Sequence, residues 1–203
     1  MSGDSYKTIR ERFLLEMKEK GSRFICHALP AVSREDADTS ISTVSKKYYD
    51  ATHNCFAYNI GWEDSITRFS DDGEPAGTAG KPILNAIRRH ELTNIVVIVT
   101  RYFGGTKLGT GGLIRAYGGV ASATLSQASL QTIYIQDILK LTCSYHHLNA
   151  IMSLIEKYSA QIIESRYDES ILLRVHVRKK FTDSLSRDII ETTAGQVKPS
   201  VVT

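Results

Sequence analysis

Several features that identify a chain at once are missing here. No apolar run among the 203 residues approaches the roughly 20 needed to cross a bilayer, and the opening MSGDSYKTIRER has no apolar signal core. A cytoplasmic protein without a membrane partner is expected. Cys26, Cys55 and Cys143 are odd in number, widely spaced and without a C-x-x-C, which argues against a disulfide framework or a cysteine zinc site. A dominant charge is lacking too. The net charge is +3, with 16 basic against 14 acidic residues up to position 134 and 9 against 8 beyond it. Any nucleic-acid surface must then be a local patch rather than a bulk field.

Familiar catalytic signatures are also absent. A Walker loop fails because Pro75 stands at its first glycine position and Pro82 follows Lys81. The dinucleotide fingerprint fails because, counting from Gly109 and Gly111, its third glycine falls on Ile114. There is no G-x-S-x-G and no H-E-x-x-H. These residues specify no cofactor and no metal.

What remains is an ordinary globular composition, 42% apolar and 23% charged, in a chain long enough for two domains. Residues 12–29 read as a hairpin turning at Lys20-Gly21. Ser33 and Asp36 form a capping box for a helix carrying Ala37, Ile41, Val44 and Tyr48 on one face. Strand character returns at 53–61 and 64–70, and Pro82 suits the first turn of a helix over 82–92. NIVVIVTRYF (94–103) reads as a buried central strand, followed by a glycine-rich loop and a helix over 113–130. Beyond 135, the order strand, helix, strand, strand, helix, strand is that of a ferredoxin-like domain. The expected division is 1–134 and 135–203.

Two glycine-rich segments each lead into a helix: SDDGEPAGTAGKP and FGGTKLGTGG. Exposed N–H groups at a helix start favour an anion, and Lys81, Arg101, Lys107 and Arg115 lie close by in sequence. The alternative is that the glycines only permit tight turns and close packing. Tyr102, Phe103 and Tyr117 suit either base stacking or burial. For catalysis, Asp71, Asp72 and Glu74 are three carboxylates within four residues, and His53 and Cys55 share a strand face that Cys26 or His27 could join. Solvated turn carboxylates and a small core cysteine are the plainer readings. In the second domain, Arg174, His176 and Arg178 share a strand face to which Lys140, Thr142 and Ser144 would add, giving a secondary basic face able to track phosphates. A solvated polar sheet face is its alternative.

The strings ATHNCFAYNIG, SDDGEPAGTAGKPIL and VTRYFGGTKLGTGGLIRAYGG resemble, in this order, the YigZ/IMPACT family over about residues 20–125. The unit downstream resembles the C-terminal domain of its bacterial members. The resemblance implies an α+β fold, with a ribosomal-protein-like domain similar to elongation factor G domain IV, then a ferredoxin-like domain similar to its domain V. It implies a translation-associated regulator whose partner is RNA, the ribosome or a translation factor. Eukaryotic members carry a further N-terminal module that this sequence lacks, so their known partner does not transfer. The binding residues expected are His53, Asp71, Asp72, Glu74, Thr78, Lys81, Arg101, Tyr102, Gly104, Gly105, Lys107, Gly109, Gly111, Gly112 and Arg115. No catalytic residue is assigned. A hydrolase or transferase acting on a small phosphorylated or peptide substrate, and a protein-interaction module without nucleic-acid affinity, are the alternatives.

Overall fold

A computed structural model describes residues 4–202; residues 1–3 and 203, which the two expected domain ranges include, lie outside the described residues. The chain divides into two compact units, both mixed α+β. One is Tyr6–Ile133, and the other runs from Tyr134 onward and takes in Asp4 and Ser5. No helix among the described residues is long and apolar enough to cross a membrane.

In the larger unit, β2 (Phe13–Glu19) and β3 (Ser22–Pro30) form the hairpin. Its turn needs positive φ at both central residues, 46° at Lys20 and 81° at Gly21. Helix α1 (Arg34–Lys47) carries the complete capping box: Ser33 Oγ accepts from the Asp36 N–H at 3.1 Å, and the Asp36 carboxylate accepts from the Ser33 N–H at 3.2 Å. After β4 (His53–Ile60) and β5 (Ile66–Ser70) come α2 (Gly80–Arg89), β6 (Ile95–Tyr102) and α3 (Gly109–Gln127). The five strands lie in the order β2-β3-β6-β4-β5, every neighbour antiparallel.

The two faces of this sheet follow from the period-2 alternation of its strands. Cys26, Cys55, Val97 and Val99 point to one face, where Ile83 and Ile87 of α2 and Leu113, Tyr117, Val120 and Leu125 of α3 cover them. Phe56, Tyr58, Val96 and Ile98 point to the other, beneath Ala37 and Val44 of α1. Burial on both faces explains why β6 reads as an unbroken apolar run.

Two short strands, β1 (Ser5–Ile9) and β7 (Leu130–Tyr134), pair in a separate two-stranded sheet. Neither is expected from sequence. The α3 helix stops at Gln127, and Ala128 is already extended at ψ 144°, so the expected helical end at 130 falls inside β7. Both helix starts also move. Pro82 is the third residue of α2 rather than its first, and Gly109, Gly111 and Gly112 form the first turn of α3 rather than a loop.

The smaller unit contains β8 (Gln136–Cys143), α4 (Tyr145–Lys157), β9 (Gln161–Tyr167), β10 (Ile171–Arg178), α5 (Thr182–Thr192) and β11 (Ser200–Val202). Its sheet order is β11-β8-β10-β9, antiparallel throughout. Leu139, Leu141, Leu173, Val175 and Val177 pack on Ile151, Ile155, Leu185 and Ile189. Ser144 is the residue that caps α4 and Tyr145 begins that helix, so neither extends a strand face.

One glycine contact fixes where the β2–β3 turn meets the strand end after β6. A Cβ on Gly104 would lie 1.9 Å from the Gly21 carbonyl carbon, whereas a Cβ on Gly119, within α3, would meet nothing within 4 Å. Gly104→Ala should destabilise the protein by about 3 kcal/mol through forced backbone displacement. Gly119→Ala should stabilise it by up to about 1 kcal/mol through helix propensity. Urea denaturation of the two variants checks both signs.

Candidate functional site

The segment between β5 and α2 folds inward around its own carboxylates. Asp71 accepts from the backbone N–H groups of Gly77 at 2.8 Å, Ala79 at 2.9 Å and Gly80 at 2.8 Å. The anion at the start of α2 is therefore supplied by the chain itself. Burial pushes the Asp71 carboxyl up, but these three N–H groups outweigh it and hold the group below its ordinary 3.8. Asp72, at φ 42°, accepts from the Asn54 N–H at 2.6 Å through its carboxylate, and its carbonyl accepts from His53 Nδ1 at 2.7 Å. A carbonyl only accepts, so Nδ1 carries the proton, and Nε2 faces Glu74 Oε1 at 3.9 Å.

Glu74 is buried, and its partners come from three elements. Arg101 Nη1 at the end of β6 donates to Oε1 at 2.5 Å, and the Tyr117 hydroxyl of α3 donates to the same oxygen at 2.8 Å. His53 of β4 is the direct cross-strand partner of Arg101. Arg101 Nη2 donates to Ser22 Oγ at 3.2 Å, and its guanidinium lies 5.5 Å from the ring centres of both Phe24 and Phe103. Its Nε has no partner.

Sulfur chemistry is closed off here. The Cys55 thiol is fully buried and donates to the Asp71 carbonyl at 3.0 Å. Burial pushes it up to about 12, with the Tyr117 hydrogen bond pulling the other way. Cys26 is likewise pushed up to about 12 by burial. Both remain thiols at neutral pH, and a thiol is a poor nucleophile. Burial, followed by Cys55 and Glu74, drives the Tyr117 phenol far upward. Among the described residues, no group of three or more side chains is placed to hold a metal ion.

The second glycine-rich segment is the opposite case. The Gly104 N–H is held by Ser22 Oγ at 3.2 Å, the Phe103 N–H by Thr52 Oγ1 at 3.0 Å, and the Tyr102 hydroxyl donates to Asp50 at 2.7 Å. Beyond this anchor the chain turns outward: Gly105, Lys107, Gly109, Gly111 and Arg115 are exposed. The α3 start has no side-chain cap and no acid in its first turn. A cavity of about 270 Å³ separates α3 from the hairpin, and its charged lining is Lys18, Glu19, Lys20 and Arg115. Another of about 290 Å³ lies between α2 and α3 and is lined by Arg89 and Arg115. Gly119 borders both.

The expected residues thus fall into groups. His53, Asp71, Asp72, Glu74, Thr78 and Arg101 belong to one hydrogen-bonded arrangement in which Glu74, Thr78 and Arg101 are buried, His53 and Asp71 partly buried and Asp72 exposed, with Thr78 donating to the Pro75 carbonyl at 2.6 Å. Gly105, Lys107, Gly109, Gly111, Gly112 and Arg115 surround the α3 start, and Lys81 is exposed on the first turn of α2. Tyr102, one residue beyond Arg101 in β6 and paired with Arg23, points to the other sheet face. The roles of Asp71 as cap and of Ser22 in holding Arg101 escape sequence reading, as do Lys18, Lys20 and Arg89, because each depends on distant pairing. On the secondary face, Lys140 pairs across the sheet with Arg174, and His176 sits opposite Ile138. Arg174 is bridged to Glu164 at 3.0 Å and Arg178 to Asp4 at 2.9 Å, so two of its cations are locally neutralised.

Residues 20–125 match the model of the Impact N-terminal domain, and residues 141–196 match a Domain of unknown function (DUF1949). IMPACT family member YvyE of Bacillus subtilis is 37% identical over 192 residues, covering 95% of this chain and 88% of that protein. IMPACT family member YigZ of Escherichia coli is 36% identical over 181 residues, covering 88% and 89%. A crystal structure of a hypothetical protein superposes with a TM-score of 0.69 at 33% identity, covering 98% of both chains.

Removing the charge of Glu74 leaves the Arg101 guanidinium buried and uncompensated. Glu74→Gln should therefore cost about 3–5 kcal/mol in equilibrium unfolding. The Asp71 shift adds a pH dependence. Its folded pKa is depressed, so its contribution is complete above the ordinary value of 3.8 and is lost as pH falls through the lower folded value. The stability gap between the wild type and Asp71→Asn should be constant near neutrality and close on acidification below about pH 4, as read from urea midpoints across a pH series.

Proposed function

The chain belongs to the YigZ/IMPACT family, and from that premise we propose that it is a translation-associated regulator that binds RNA along the exposed face of α3. The observation that carries this reading is the contrast between two helix starts. At α2 the N–H groups are taken by Asp71, whereas at α3 they are uncapped beside exposed Lys107 and Arg115. Oriented N–H groups and unpaired cations attract phosphate. Lys18, Lys20 and Arg89 extend the basic surface along both cavities beside Arg115. Lys81 adds charge at the edge, while Arg101 holds the scaffold through Glu74.

The larger unit is read as the IMPACT-type, ribosomal-protein-like domain of residues 1–134, similar to elongation factor G domain IV. The smaller is read as a ferredoxin-like domain of residues 135–203, similar to its domain V. The order β-α-β-β-α-β and the sheet order β11-β8-β10-β9 support the second assignment. Such a pair of domains suits a partner on the ribosome and a cytoplasmic setting. The hydrolase reading lacks its nucleophile, because the Cys55 thiol is buried and protonated.

Fluorescence anisotropy with a structured RNA, repeated across salt concentrations, tests the proposal. Binding should weaken steeply with salt, and Lys107→Ala with Arg115→Ala should flatten the log–log slope by about 2. Unchanged affinity in that folded double variant would overturn the reading. A protein partner recovered in the absence of any RNA affinity would favour an interaction module.

A further inference from the structure

The opposite face of the larger unit's sheet holds a feature that this RNA-binding reading does not use. Between α1 and the β3 side of the sheet lies a cavity of about 160 Å³. It is smaller than the roughly 300 Å³ at which pockets for drug-sized ligands begin. Its walls include Arg12, His27, Ser40 and Lys47. His27 Nε2 is buried without a hydrogen-bond partner, an arrangement that native interiors rarely leave unanswered. The charges acting on the imidazole are Lys47 and Arg12, both positive, and burial is the larger effect holding it down to about 4. The ring is therefore neutral at physiological pH, and it carries one N–H.

One of the two cations also has a ring contact. Lys47 Nζ sits 5.2 Å over the Tyr48 ring, and that ring tilts against His27 at 5.4 Å. Among the described residues no acid lines the cavity, and three acids of α1 and β2 are engaged elsewhere: Glu16 pairs with Arg23, Asp36 caps α1, and Asp38 pairs with Arg34 and Arg68. Two cations, a free hydroxyl and an unpartnered imidazole then surround a space of a few ångströms. An oxyanion matches that set: it neutralises the cations and accepts from the donors left free, the Thr43 hydroxyl in the same wall being already given to the Thr39 carbonyl at 2.8 Å.

We propose that this cavity binds a small phosphate-bearing anion, held by Arg12 and Lys47 and oriented by His27 and Ser40. The ligand chemistry is a tetrahedral oxyanion, either free phosphate or the head of a short phosphomonoester. The size of the cavity excludes a nucleotide lying wholly inside it.

Isothermal titration calorimetry of the full chain with inorganic phosphate, and separately with glycerol 3-phosphate, tests this. One saturable site per chain is expected, at least tenfold weaker in Arg12→Ala and in Lys47→Ala. Both side chains are exposed, so thermal melts of these variants should match the wild type. The tighter of the two probes identifies the source of the anion. The His27 ring resonances should move at saturation, and binding should survive Lys107→Ala with Arg115→Ala, which separates this cavity from the α3 surface. Absence of saturation at millimolar phosphate, equal affinity in the Arg12 and Lys47 variants, or unmoved His27 resonances would each overturn the proposal.

Discussion

Glu74 is a carboxylate taken out of water, and the geometry of both glycine-rich segments depends on how its charge is met. Its partners are the Arg101 guanidinium at the end of the central strand and the Tyr117 hydroxyl of α3. Through Arg101 the contact continues to Ser22, whose hydroxyl also receives the Gly104 N–H. The first segment, the second segment, the hairpin turn and α3 are thereby fixed around one charge. A buried pair of this kind adds little net stability against an apolar replacement, but losing one partner is costly. Its effect is to exclude other arrangements of two loops that would otherwise be free to move.

Asp71 prepares that arrangement. By taking the N–H groups of Gly77 in the turn, of the cap Ala79 and of Gly80 at the start of α2, it sets the path of the intervening turn, and the Glu74 N–H donates to the Asp71 carbonyl at 2.9 Å. Adjacent carboxylates thus do different work. Asp71 replaces an external anion, Asp72 orients His53 and Asn54, and Glu74 neutralises Arg101. Three acids within four residues look like a metal or acid–base site in sequence, yet each is committed to structure. Neither helix has an acid in its own first turn, but Asp71 reaches the start of α2 and no such carboxylate caps the start of α3 among the described residues.

How much of this could be read beforehand depended on range. The hairpin, the Ser33–Asp36 box and the buried β6 rest on contacts within a few residues or on simple alternation, and all were legible. The short strands β1 and β7 were not, since five residues with mixed burial carry little periodicity and their pairing joins distant parts of the chain. The Asp71 cap was missed because capping rules look to the residue before a helix, and here the acceptor stands nine positions before Gly80. Arg101 looked like a ligand cation because its neighbours in sequence are glycine-rich. Its true neighbours, Phe24, Phe103 and Glu74, come together only through the sheet.

Gly118 and Gly119 stand side by side within α3. Each lowers helix propensity by about 1 kcal/mol relative to alanine. A Cβ on Gly118 would lie 3.6 Å from Pro82 Cβ, an ordinary van der Waals contact that leaves room for an alanine between α2 and α3. Gly119 has no such partner within 4 Å. It instead borders both cavities beside Arg115, where a side chain would stand in the open track between the hairpin and α2. Packing requires a glycine at neither position. The RNA surface proposed along α3 would use that bare stretch, with the Arg115 cation beside it.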